Sequence, residues 1–329
     1  MLRAGLLGLG GMGRTHKAVY DRIAEENGPV KLAAYFDVSE EAFSETGDAR
    51  TYTDIDNLLE KEKGKLDYID ICLPTFLHRD IAVKAMKIGY NVLCEKPMAL
   101  KYEDAKAMCE ASEETGMTLM IAHPLRFSEF YKMVHDCIKS GELGRVRNAR
   151  FNEYRAGLPE GKNGWFRDDR LSGGPILDTN VHDVDLIRWF FGTPKTVSSF
   201  GSKVNTQTAY DAISATMVFE DGMYLNLHAD YAVKENKYEG GRTHRIHFEN
   251  GYIFFNRDAA VKVDNQGNVD DFMGRNNDFY YNEIMYFADC IINNRPVDRC
   301  PPRESAEAIR IIEAEFESAD NNGKTIKVK

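Results

Sequence analysis

The first 123 residues alternate short apolar runs with longer stretches of helical spacing. The runs are Leu2 to Leu7, Val30 to Phe36, Leu66 to Leu73, Asn91 to Cys94 and Thr118 to Ala122. Between them lie segments such as "LHRDIAVKAMKIG", which stops at Gly89, and "YEDAKAMCEASEETG", which stops at Gly116. Glycine just past a helix end adopts the left-handed conformation that caps it. Strands apolar on both faces and separated by helices predict a doubly wound parallel sheet covered on both sides, over residues 1–123. From residue 124 the period changes. One helix, "SEFYKMVHDCIKSG", precedes longer alternating strands at Val146 to Tyr154, Thr196 to Val204, Ile213 to Phe219, Met223 to Tyr231 and His244 to Phe248. In "MYLNLHADY", Met223, Leu225, Leu227, Ala229 and Tyr231 share one face, and Tyr224, Asn226, His228 and Asp230 the other. Asp221-Gly222 before that run predicts a hairpin. Two helices, "DFYYNEIMYFADCIINN" and "ESAEAIRIIEAEFESADNNG", close the chain. Residues 124–329 therefore read as an α+β domain on a large, mostly antiparallel open sheet.

Composition narrows the function. The 329 residues are 43% hydrophobic, enough for two domains, and 42 basic against 52 acidic residues give a net charge of -10. That balance argues against nucleic acid or an anionic membrane as partner, since both need excess positive charge. It leaves room for an anionic cofactor held by backbone N–H groups. No run approaches the roughly 18 apolar residues of a membrane span, and "MLRAGLLGLGGMG" has neither the apolar core nor the cleavage site of a signal peptide. Six cysteines with no CxxC pair read as reduced structural thiols, which points to a cytoplasmic protein.

In "LLGLGGMGRTH", Gly8, Gly10 and Gly13 form G-x-G-x-x-G between a strand and a helix, the context that a dinucleotide loop requires. Gly8 makes the tight turn, Gly10 admits a pyrophosphate and Gly13 lets the helix pack closely. Leu9, Gly11 and Met12 complete the loop and the helix start, whose free N–H groups and dipole favour phosphate. Asp37 ends the second strand, 24 residues beyond Gly13. A carboxylate there accepts ribose hydroxyls and repels a 2′-phosphate, favouring NAD over NADP. Capping of a helix near Ser39 is the alternative for Asp37, and an adenosyl cofactor is an alternative for the loop.

Ligands of an open parallel sheet bind beyond the carboxyl ends of its strands. "VLCEKP" places Glu95 and Lys96 at such an end, and "IDICLPTFLH" places Leu73, Pro74, Thr75 and His78 at its neighbour. Pro97 breaks the ladder, so Lys96 is aimed; a Glu95–Lys96 ion pair is the bland alternative. Further on, "SGGPILDTNVHDVDLIRWFFG" supplies Asp178, His182 and Asp185. If that segment is an α-helix from Asp178, the three lie at about 0°, 40° and −20° on one face.

"GLGGMG", "LPTFLH", "GYNVLCEKPMAL" and "GGPILDTNVHDVD" occur in the order and at the positions they take in the Gfo/Idh/MocA oxidoreductases, and the chain resembles that family over almost its whole length. The resemblance implies an N-terminal Rossmann domain and an NAD(P)-dependent enzyme acting on a sugar, polyol or sugar acid. It implies a homodimer or homotetramer, and a lysine, aspartate and histidine acting together. Oxidising a secondary alcohol sends a hydride to nicotinamide and a proton to a base. Histidine suits the base, and the developing alkoxide needs a positive charge. His182 is thus expected as general acid/base, Lys96 as stabiliser of the oxygen and Asp178 as an orienting group. Asp185 would hold the helix or the histidine.

"HPLRF" at His123 to Phe127 sits where the family has a crossover segment beside the nicotinamide, so His123 is expected either to face the ring or to be structural. A Trp-containing loop like "NGWFRDD" touches cofactor or substrate, so Trp165 and Arg167 are expected to line the site. His244 and His247 lack ligand-spaced carboxylates or thiols, so no metal site is expected. Two other activities fit the same motifs, a redox-assisted glycosidase that regenerates its own NAD and a non-catalytic sensor. Loops at about 155–175 and 232–245 would set specificity.

Overall fold

A computed structural model describes residues 1–155, 162–206, 208–232, 241–273 and 278–328. The chain forms two compact units, Met1–Phe127 with Asp278–Ala306, and Ser128–Asn277 with Glu307–Lys329.

The first unit carries β1 (Leu2–Leu7), α1 (Gly11–Glu25), β2 (Val30–Phe36), β3 (Arg50–Tyr52), α2 (Ile55–Lys61), β4 (Tyr68–Ile71), α3 (His78–Ile88), β5 (Asn91–Glu95), α4 (Tyr102–Thr115) and β6 (Leu119–Ala122). Its six strands run in the order β3-β2-β1-β4-β5-β6, and every pairing is parallel. The order reverses between β1 and β4, where a doubly wound sheet opens a crevice. β1 and β2 span the residues that the apolar runs predicted. Gly89 and Gly116 cap α3 and α4 with left-handed backbone, φ 111° and 70°.

The sequence reading assigned residues 124–329 wholly to the second domain, whereas residues 278–306 cluster with the first. Packing gives the reason. Ile284, Phe287, Ala288 and Cys290, on the helix Phe279–Ile292, share a core with Ala4, Tyr20, Tyr68, Leu93 and Met120. The Phe287 ring meets that of Tyr68 edge-on at 5.2 Å. Fully buried Arg126, from "HPLRF", donates to Glu304 Oε2 at 2.8 Å and the Arg299 carbonyl at 3.0 Å.

The second unit carries α5 (Glu129–Ser140), β7 (Val146–Tyr154), α6 (Asp169–Ser172), α7 (Val181–Phe191), β8 (Thr196–Ser202), β9 (Ala212–Val218), β10 (Tyr224–Asp230), β11 (Gly241–Phe248), β12 (Gly251–Phe255), β13 (Ala260–Asp264), β14 (Val269–Asp271) and β15 (Ile326–Lys327). The nine strands run β14-β13-β12-β11-β7-β10-β9-β8-β15. Among the described residues only β7 and β10 pair in parallel, so the sheet is mixed and mostly antiparallel. The alternation in β10 divides as expected. Leu225, Leu227 and Ala229 are buried, while Tyr224 is 48% exposed.

One local expectation fails. Residues Ile176–Asn180 form a π-helical turn, and α7 begins only at Val181. The wider turn breaks the 100° arithmetic between Asp178 and His182. Asp178 sits on the π-turn, while His182 and Asp185 lie on α7 itself.

Candidate active site

Backbone geometry dictates the glycine loop. Gly8 holds φ +95°, and a Cβ there would lie 2.5 Å from the Cys72 carbonyl oxygen. A Cβ on Gly13 would sit 1.8 Å from the Gly8 carbonyl oxygen, so only glycine lets α1 approach β1 this closely. At Gly10 and Gly11, by contrast, a Cβ would meet nothing within 4 Å. That leaves open space in front of a helix whose N-cap, Gly10, offers no side-chain cap to the first-turn N–H groups. A pyrophosphate fits there, held by backbone N–H groups and the helix dipole. Leu9 is buried and Met12 half-buried at the helix start.

Asp37 is fixed by the same loop. Its Oδ2 accepts from the Leu9 N–H at 2.9 Å and its Oδ1 from the Ser39 N–H at 2.9 Å. The second bond serves a short 3-10 turn, Glu40–Glu45, whose N-cap is Ser39 rather than Asp37.

At the end of β4, Leu73 and Pro74 are half-buried and Thr75 is buried. His78 lies behind them, 1% exposed, with Nδ1 2.9 Å from the Pro97 carbonyl and Nε2 2.8 Å from that of Leu73. Burial lowers its pKa, and a neutral ring donates to one carbonyl at a time. His78 thus ties the two strand ends together, and both ring nitrogens face backbone. His123 is buried too, 1% exposed.

Glu95 has a second partner besides its neighbour Lys96. It is 4% exposed and turns inward, with Oε1 3.1 Å from His16 Nε2, while its Oε2 accepts from the backbone N–H of Lys96 at 3.0 Å. Burial opposes its charge, but His16 outweighs burial and holds the carboxyl below its usual range. Lys96 is half-buried at the end of β5, and the Lys96–Pro97 bond is cis. His16, Asp70 and Glu95 form a buried cluster that the sequence reading did not single out. Its signal was present: a lone Asp inside the apolar "YIDIC" must have a partner if the strand is buried on both faces.

In the second unit, Asp178 sits half-buried in the π-turn, where its Oδ2 accepts from Thr179 Oγ1 at 3.3 Å. His182 is half-buried in the first turn of α7, and Asp185 is 1% exposed. Asp183, fully buried, anchors that helix. Arg242 Nε lies 2.7 Å and His244 Nε2 3.0 Å from its Oδ1. Arg242 continues to Glu153 at 2.8 Å, and the Tyr231 hydroxyl donates to the same Glu153 oxygen at 3.1 Å. Burial opposes the Asp183 charge, but Arg242 and His244 keep its carboxyl below the usual range. His244 therefore supports α7, while His247 lies half-exposed on the opposite sheet face.

Trp165 is half-buried with its ring 4.6 Å from that of Phe166. Arg167 is exposed and lines a cavity of about 660 Å³ with Gly164, Asp168, Asp169, Arg170 and Thr208. A larger cavity of about 700 Å³, lined by Gly141, Arg145, Phe191 and Glu249 among others, contains none of the expected site residues. Of the two expected specificity loops, residues 156–161 and 233–240 lie outside the described residues. No helix among the described residues is long and apolar enough to cross a membrane.

Residues 2–123 match the family model described as the oxidoreductase family, NAD-binding Rossmann fold. Residues 131–254 match the model of the GFO/IDH/MocA C-terminal domain. The chain belongs to the Gfo/Idh/MocA oxidoreductases. Among members of this family, the D-xylose 1-dehydrogenase (NADP(+)) 2 of Haloferax volcanii is 27% identical over 96% of this chain and 97% of its own. The 1,5-anhydro-D-fructose reductase of Ensifer adhaerens is 28% identical over 58% of this chain, and the match spans 58% of that protein's length. The crystal structure of an oxidoreductase from Agrobacterium radiobacter in complex with NAD+, L-tartaric acid and magnesium superposes with a TM-score of 0.84. It covers 99% of this chain and 98% of the other at 20% identity, and so shares the Gfo/Idh/MocA fold.

Beneath the π-turn, Asn180 Nδ2 donates to Glu315 Oε2 at 3.3 Å. Glu315 is fully buried, and desolvation pushes its carboxyl up to about 8 from 4.5. A raised carboxyl destabilises the fold as pH climbs from the unfolded value toward the folded one, because only the unfolded chain can ionise. Glu315→Gln keeps the amide contact and removes this penalty. The variant is expected to be more stable than the parent by on the order of 2–3 kcal/mol at pH 7 and equal to it near pH 4. Urea melts at both pH values test this, and equal stability at pH 7 would refute the assignment.

Proposed function

We propose that the protein is a dehydrogenase that removes a hydride from a secondary alcohol of a sugar, polyol or sugar acid, with NAD as acceptor. The observation that carries this reading lies within one sheet. The glycine loop follows β1 at the switch point, and Lys96 ends β5, so phosphate cradle and ammonium share its carboxyl edge. The substrates in the relatives' names, D-xylose and 1,5-anhydro-D-fructose, and the tartaric acid bound in the Agrobacterium radiobacter structure are all polyhydroxylated. That supports the substrate class.

Asp37 favours NAD, since its carboxylate, fixed by Leu9 and Ser39, accepts ribose hydroxyls and repels a phosphate. When bound, the nicotinamide supplies the hydride acceptor. The rest of the chemistry falls to side chains. The Lys96 ammonium stabilises the alkoxide as it forms, His182 takes the hydroxyl proton and Asp178 orients the substrate by accepting from it. Trp165 and Arg167 line the sugar subsite.

The test is NADH or NADPH formation, followed at 340 nm, over glucose, xylose, 1,5-anhydroglucitol, myo-inositol, gluconate and galacturonate. At least one is expected to be oxidised, with kcat/KM at least about tenfold higher for NAD than for NADP. NADP winning would overturn the reading of Asp37. No reduction of either cofactor by any of the six would overturn the dehydrogenase reading.

A further inference from the structure

We infer that His16 is a positioning residue for Lys96, the cationic centre of a buried relay that fixes the backbone at the end of β5. The inference rests on the reading of Lys96 as the group that faces the alcohol oxygen.

The contacts form a chain in which the His16–Glu95 link is an ion pair and not an aligned hydrogen bond. The Tyr68 hydroxyl donates to Tyr20 at 2.9 Å, and the Tyr20 hydroxyl donates to Asp70 Oδ2 at 2.8 Å. His16 Nδ1 lies 2.8 Å from the same Asp70 oxygen, and His16 Nε2 lies 3.1 Å from Glu95 Oε1. Past the last ladder pair, Glu95 with Ala122, the Lys96 N–H donates to Glu95 Oε2 at 3.0 Å. Tyr68, Tyr20, Asp70 and His16 are all at most 1% exposed.

Both ring nitrogens of His16 face carboxylate oxygens, which only accept, so one imidazole serves both only when doubly protonated. The groups around it come from every side. Asp70 is on β4, Cys72 follows that strand, Glu95 is on β5, Tyr20 is one turn along α1, and the Tyr280 ring of the helix Phe279–Ile292 stands 6.2 Å away. Burial works against the imidazolium, but the Asp70 carboxylate raises its pKa well above the ordinary histidine value. Burial also keeps the Cys72 thiol neutral by raising its pKa. Such a buried triad is a poor way to stabilise a core, since apolar packing usually does as well. What apolar packing cannot supply is an ionised, immobile Glu95 to catch the amide of Lys96 where the strand ladder has ended. A lysine so held reaches the oxygen from one direction, and a misplacement of about 1 Å is enough to lose two orders of magnitude in rate.

The test is His16→Gln, which preserves volume and one donor but carries no charge. Amide hydrogen exchange is measured at Lys96 and at Val92, Leu93 and Cys94 of the same strand. Exchange at Lys96 is expected to quicken by about tenfold or more, with the strand amides within about threefold of the parent. On the fastest-oxidised member of the sugar panel, kcat is expected to fall by at least about tenfold with the NAD dissociation constant nearly unchanged. An unchanged Lys96 amide, or an equal loss of protection at all four positions, would overturn the inference. If the variant does not fold, 15N NMR of the parent decides, since a neutral His16 ring at pH 7 is incompatible with the relay. Wild-type turnover in a Lys96→Met variant would instead sink the reading of Lys96 and leave the exchange result standing.

Discussion

Lys96→Met is expected to lower kcat by about 10²–10³-fold, while NAD affinity stays within about threefold. The asymmetry follows from where the charge acts. The substrate enters as a neutral alcohol and acquires negative charge on oxygen only as the hydride leaves, so the ammonium interacts mainly with the transition state. Methionine preserves the apolar stem, which is half-buried at the end of β5, and the backbone bond to Glu95 does not involve the side chain that changes. Stopped-flow and steady-state assays on the fastest-oxidised sugar separate kcat from KM, and fluorescence titration gives NAD affinity. Turnover within a factor of about two of the parent would remove Lys96 from the chemistry.

His182→Ala is expected to cost about 10²–10⁴-fold in kcat and to remove the low-pH limb of the rate profile. A base works only when deprotonated, so the parent's rate should rise with pH along a limb set by the imidazole and then level off. Without the imidazole, proton loss depends on solvent hydroxide, and the remaining rate should keep climbing with pH. Asp183 holds α7 through Arg242 and His244 and does not depend on His182, so the helix should survive the truncation. A variant whose rate follows the parent's limb at reduced height would assign the proton to another group.

Much of the first unit is legible in the chain because local rules act alone there. A parallel strand buried on both faces is apolar over its buried stretch, as Ala4 to Leu7, Ala34 to Phe36 and Val92 to Cys94 are. Gly8 and Gly13 are dictated by backbone contacts under 3 Å, which no other residue survives. β3 escaped notice because "RTY" is a three-residue edge strand with no apolar run. The π-turn at 176–180 escaped because a helical wheel presumes a constant pitch, and nothing in "ILDTN" announces the change.

Charged pairs within the core are where sequence reading stopped. His16 with Asp70 and Glu95 spans 79 residues, and Arg126 with Glu304 spans 178. Asp70 stands out only by its apolar strand, whereas His16, Arg126 and Glu304 each look like ordinary surface residues, and the burial that makes each pair obligatory is a property of the packed chain. Alternating polarity along "MYLNLHADY" shows which face is inside, but it does not say which strand lies beside it. The parallel neighbour β7 was fixed by assembly of the sheet.

The sequence by itself determined the two kinds of sheet, the glycine loop and the residues proposed for the chemistry. These depend on period, glycine and residue chemistry, which act over a few positions. Only the tertiary structure decided that residues 278–306 complete the first unit, that Glu95 turns inward to His16, and that Asp178 sits on a π-turn. Those outcomes depend on which distant groups exclude water from one another, and no short stretch of chain contains that information.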